Sequence, residues 1–165
     1  MAKSKVIRSW KNKIVSELSQ DEEIINALGL NPDEDPDDLI WKRIFPHYYV
    51  ETTESVVKTY LMVEIDIPER RTRYGSSDSN IWVHPTIIFY VVAHQEDMRM
   101  NIVGESGTRM DYLAELIEET YQGKEGFGVG TLELKSDVAG SLNNTYRFRQ
   151  LVFEAVDLDS ALCEG

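Results

Sequence analysis

The chain has 165 residues, enough for one domain around a single core, and its 42% hydrophobic content is that of an ordinary globular protein. A net charge of -12 and a pI of about 4.6 argue against a general binder of nucleic acid or of anionic membranes; such a surface suits a conduit along which DNA slides. The single cysteine, Cys163, excludes an internal disulfide and fits a reducing compartment, and no apolar run has the length of a signal-peptide core or a membrane span, so the chain reads as cytoplasmic when made.

The first helix is marked by Ile7, Trp10, Ile14, Val15 and Leu18, which share one face. Lys3, Lys5, Arg8, Lys11 and Lys13 precede the first acid, Glu17, and read as a solvated helix face in preference to a partner-binding arm. Ile24, Ile25 and Leu28 give a short second helix that Gly29 stops. The acidic run Asp33, Glu34, Asp35, Asp37 and Asp38 lacks the central glycine of a calcium loop and is interrupted by Pro36. Asp35-Pro36 reads as an N-cap followed by proline in the first helical turn, with the acids favouring the positive helix end. Leu39, Ile40 and Ile44 extend that third helix to Pro46.

From Thr59 to Ile67 the period changes to two, with Leu61, Val63, Ile65 and Ile67 on one face. Ile81 to His94 is apolar on both faces, the pattern of a central strand covered on both sides, with regular pairing beginning after Pro85. Between them, 69–80 has no periodicity and carries Arg70, Arg71 and Arg73; it reads as a long mobile hairpin loop. Thr108 and Asp111 approximate a capping box ahead of Met110, Leu113, Ala114, Ile117 and Tyr121, which share a helix face, while Glu115, Glu118 and Glu119 lie on the wet side.

The stretch Gly126-Phe127-Gly128-Val129-Gly130 invites a phosphate-loop reading, but phosphate cradles follow a strand and open a helix, whereas here a helix ends and a strand begins. The glycines therefore predict a tight helix-to-strand corner. Leu132 and Leu134 mark a short strand, Gly140 to Thr145 a turn, and Tyr146 to Val156 a long aromatic and β-branched strand. The sum is a single α+β domain, a mostly antiparallel mixed sheet flanked by helices, with a helical N-terminal part over 1–46.

Chemistry is sparse. His47, His84 and His94 lack metal-ligand spacing, and His94 closes a buried strand as a structural imidazole would. Cys163 has no neighbouring histidine, and no serine sits in a nucleophile elbow. Glu133-Leu134-Lys135 has the spacing of the glutamate and lysine of some divalent-metal nucleases, with Asp66 as the third member provided that its strand is adjacent and faces the same way. Alternating polar residues on a half-exposed strand produce such a triplet readily by chance. No cofactor is expected, and the chain reads as no enzyme.

The runs Thr108–Leu113, Gly126–Leu134 and Tyr146–Phe153, with Ile44-Phe45-Pro46 and the apolar strand into Gln95, resemble the tail terminator (tail-to-head joining, or tail completion) proteins of long-tailed phages, in order and over most of the chain. That resemblance implies a sheet flanked by helices and a six-membered ring of identical copies that caps the tail tube and docks on the head connector. The partners it implies are the chain itself, the major tail tube protein and a connector or stopper protein. DNA would pass through the lumen without specific binding, and no membrane would be involved. The protein would be made in the host cytoplasm and end at the tail-head junction of the virion. The family has no catalytic residues to transfer; Arg109, Asp111, Arg147 and Arg149 match its charged positions. Arg70, Arg71, Arg73, Arg147 and Arg149 are the expected subunit contacts, meeting acidic surface on the next copy. Another ring of the head-to-tail neck and, in a different class, the nuclease of Asp66, Glu133 and Lys135 are the alternatives.

Overall fold

The computed structural model describes residues 3–31, 33, 35–53, 55–67, 70–72 and 81–156. Helix α1 (Lys3–Gln20) buries Ile14, Val15 and Leu18, the stripe that its 3.6-residue period predicts. Asp21 then caps α2 (Glu22–Ala27), accepting from the backbone of Glu23 and Ile24, and Gly29 leaves the helix at φ 77°. Helix α3 (Pro36–Leu39) starts as read: Asp35 accepts from Asp37 N at 3.0 Å, with proline in the first turn.

Its end differs from the expectation. Trp41 takes φ 72° and breaks the helix, so Ile44–Phe45 becomes β1 and pairs in parallel with β2 (Thr59–Asp66). Arg43 holds this corner, donating to Thr59 O at 2.8 Å and Leu28 O at 3.0 Å.

The segment expected to be all loop is partly paired. Strand β3 (Arg70–Thr72) lies antiparallel to β4 (Ile81–Val83) in a two-stranded ladder. Arg73 and the rest of 73–80 lie outside the described residues. After Pro85 comes β5 (Thr86–His94), so the single strand expected from Ile81 is two. A proline has no N–H for the ladder, and the main sheet resumes one residue later, as anticipated.

Helix α4 (Arg109–Tyr121) has Thr108 accepting from Asp111 N at 3.1 Å, and its five expected inward residues are all buried. The glycines after it form a corner: Gly123, Gly126, Gly128 and Gly130 all have positive φ, and Phe127 between them is buried against Trp10. Strand β6 (Thr131–Ser141) is 11 residues long, not short, and takes in Gly140; the turn begins beyond it and leads to β7 (Tyr146–Val156).

The sheet order is β1-β2-β5-β7-β6, mixed because only β1–β2 is parallel. Its first face carries Leu61, Val63, Ile65, Ile87, Phe89, Val91, Leu151 and Phe153 into the main core with α1, α2 and α4. Each such side chain, fully buried, contributes about 2 kcal/mol. The described helices cover this face alone. The second face, expected to be covered as well, is buried only in part, by a segment of the chain between β1 and β2.

Candidate assembly surface

That covering segment, 46–58, is fastened by a compact polar and aromatic cluster. The Lys58 ammonium lies 5.3 Å from the Tyr49 ring centroid, 5.5 Å from Tyr60 and 5.9 Å from Phe45, and is closed in by the Glu51 carboxylate at 2.9 Å. Glu51 also accepts from Tyr49 Oη at 2.9 Å and Thr53 N at 3.1 Å. The hydrogen bond from Lys58 holds the Glu51 carboxyl below the usual carboxylate range. Tyr146, on β7, donates its hydroxyl to Val56 O, and burial pushes its phenol up to about 12; burial raises Tyr60 well above the usual range too. Residues from β1, β2 and β7 thus pin one segment across the sheet.

Beyond that strap the second face is open. Tyr48 (48% exposed) meets Tyr90 at 5.5 Å between centroids, Tyr90 meets Phe148 at 6.2 Å, and Val138 (51% exposed) lies on the adjoining edge strand. Ile88 and Val152, neighbours in the β5–β7 register, are half-buried in the next same-face row from Tyr90. Val138 arrives there through a β-bulge between Leu134 and Ser136. Without it, Val138 would follow Leu132 and Leu134 onto the helix face. The same shift turns Asp137 to the helix side, where it accepts from Arg149 at 2.7 Å.

Strand β6 is one edge of the sheet; the segment after α4 caps its first residues, with Gly123 N donating to Leu132 O at 2.8 Å and Leu132 N to Lys124 O at 2.9 Å, and from Lys135 to Ser141 its outer side meets no strand among the described residues. An edge of that length is a template for another chain; the bulge, with Lys135 in it, blunts one half. The other edge, β1, is two residues long and buried.

The structure separates the arginines nominated from sequence. Arg147 and Arg149 lie on β7, an inner strand between β5 and β6 and not a sheet edge. Arg149 is engaged within the chain, 2.6 Å from Asp111 on α4 and 2.7 Å from Asp137 on β6; Arg147 donates to Ser141 Oγ at 2.9 Å. Arg70 and Arg71 belong to the β3–β4 ladder, which continues from the Asp66 end of β2, whereas Arg147 pairs with Ala93 near the other end of β5. Arg109 is buried and clamps three carbonyls, Ala27 O at 2.7 Å, Asp97 O at 2.8 Å and Arg99 O at 3.2 Å, joining α2 and α4 to the turn after β5.

The nuclease geometry fails on adjacency. Asp66, Thr86, Glu154 and Glu133 occupy one register row, on one face, but β5 and β7 stand between the first and last. Three strand spacings hold Asp66 and Glu133 roughly 14 Å apart. Lys135 pairs instead with Glu133 at 2.9 Å. No group of three or more metal-ligating side chains occurs among the described residues. His94 is structural as read: its Nδ1 accepts from Glu96 N at 3.1 Å and its ring meets Tyr146 edge-on. The open face itself escaped sequence reasoning. Its one signal was the alternation of Ile88, Tyr90 and Val92 opposite the core residues of β5.

A family model described as YomW matches residues 21–155. No curated protein and no solved structure matches the chain.

Proposed function

Because the chain belongs to the YomW family, which is phage-derived, we propose that this phage-associated protein is a structural assembly component, a tail terminator whose ring of copies caps the tail tube and joins it to the head connector. The observation that carries this reading is the aromatic sheet face left open beside an edge strand whose second half has no outer partner among the described residues. Exposed apolar surface of that kind belongs to proteins that work assembled. The net charge of -12 supports the same reading, since an acidic lumen repels the DNA that passes through it. The resemblance in the runs around Thr108, Gly126 and Tyr146 supplies the finer assignment.

Imaging of assembled tails tests it. A closed ring, six copies by the resemblance, is expected at the head-proximal end of the tube, and deleting the gene should leave tubes of uncontrolled length that fail to join heads. A ring next to the head, separated from the tube by another protein, would reassign the chain to the neck. Density at the distal tip, or absence from the particle, would overturn the assembly role.

A further inference from the structure

Among the described residues the sheet has helices on one face and none on the other, and the two faces differ in charge as well as in cover. On the open face, Asp66 and Glu154 flank Thr86 in one register row; both carboxylates are exposed and neither has an ion-pair partner among the described residues. On the covered face, α1 carries five cations and one acid in a chain whose net charge is -12. Its outward stripe presents Lys5 and Arg8, neither of which meets a carboxylate among the described residues, above the short side chains of Ser9, Asn12 and Ser16.

We infer that the open sheet face of one copy seats the outward face of α1 from the next copy, with Lys5 and Arg8 toward Asp66 and Glu154. Two bodies of this net charge repel each other across most of their surfaces. A contact between copies therefore runs through a part that departs from the overall sign, and α1, with five cations and one acid, is such a part. The apolar share comes from Tyr48, Tyr90, Phe148 and Val138, which a helix laid on the sheet would cover as the chain's own helices cover the first face. The chain's own 46–58 strap is fastened beside this patch by Lys58, Glu51 and Tyr146 and leaves it open. Because the two surfaces lie on opposite sides of one sheet, the contact is heterologous: each copy gives α1 to one neighbour and receives α1 from the other. Repeated with a fixed rotation, it closes a ring. This inference rests on the ring reading above and names its contact.

Cross-linking of full-length protein tests it, in a Cys163→Ser background. Arg8→Cys and Val138→Cys variants are prepared separately, mixed, and treated with a short bismaleimide, both as concentrated purified protein and in assembled tails. Cross-linked dimer is expected in the mixture and not from either variant alone. Lys5→Glu with Arg8→Glu should reduce assembled protein by about tenfold, and Asp66→Lys with Glu154→Lys should restore it. Unchanged thermal unfolding of each variant would show that folding is intact. Dimers from Val138→Cys alone would mean that the open faces meet each other, and an intrachain cross-link in a chain carrying both cysteines, with none between copies in the mixture, would mean that the chain covers itself; either result overturns the contact. No cross-link between copies in either sample, or charge reversal without effect, also overturns it. Location in the particle is read separately by imaging, so the contact and the terminator reading can fail independently.

Discussion

Gly140 stands directly across the β6–β7 ladder from Phe148, and a Cβ on Gly140 would come within 2.5 Å of the ring's Cζ. The glycine is there for space, because its φ is not in the left-handed region. Gly140→Ala should displace the ring from its packing against Tyr90 and cost about 1 kcal/mol, outweighing what the strand gains in backbone entropy. Thermal unfolding checks this, and the cost should largely vanish in a Phe148→Leu background. Equal costs in both backgrounds would remove the ring from the explanation.

Arg109 should tolerate no shorter cation. Its planar fork reaches carbonyls at Ala27, Asp97 and Arg99, which a lysine cannot reproduce. Arg109→Lys should destabilise by about 2 kcal/mol and Arg109→Ala by about 3, measured by denaturant unfolding. Gly29 belongs to the same site, since a Cβ there would lie 2.7 Å from the guanidinium.

The Lys58–Glu51 pair should make the strap sensitive to acid. Glu51 has a lowered folded value, so its contribution is full above the ordinary carboxylate range and is lost as pH falls through the depressed one. Lys58→Met should therefore cost about 3 kcal/mol at neutral pH and progressively less in acid, as Glu51 takes up a proton. On the alkaline side the sign reverses. Tyr146, raised to about 12, contributes fully below the ordinary phenol value of 10.0 and loses that contribution as pH rises toward the raised one; Tyr146→Phe should remove this alkaline step. Unfolding midpoints across pH, wild type against variant, measure both.

Purified protein with Mg²⁺ or Mn²⁺ is expected to leave DNA uncut, because the carboxylates of Asp66 and Glu133 are two strands too far apart to share an ion. Cleavage that disappears in Glu133→Ala would restore the nuclease reading.

The elements legible in the sequence were those with a local cause. Asp35-Pro36, Thr108 and Gly29 are capping chemistry, and the two-residue period of β2 and β5 states which side faces the core. What escaped was set by distant partners. Strand β6 has half-exposed polar residues, and its bulge inverts the alternation at Lys135, so neither its length nor the face of Val138 can be read locally. Trp41 ends α3 in a conformation that glycine usually supplies. Arg149 looked available because Asp111 and Asp137 come to it from another helix and another strand. The open face was hidden for the same reason: periodicity shows that a strand is apolar on both sides, and only the placement of the helices shows which side stays uncovered.

The position of β5 at the sheet centre also governs how the chain folds. One of its neighbours, β2, precedes it, but the other, β7, follows only after α4 and β6. Until β7 is synthesised and paired, β5 offers an unsatisfied ladder and the side chains of Phe89 and Val91 to any passing strand. Pairing over such separations is slow, which lengthens that exposure. Ribosomal timing of Tyr146–Val156 thus decides when a sticky nascent ribbon becomes a folded domain, and chaperone demand and inclusion-body formation should track interruptions within this last described strand.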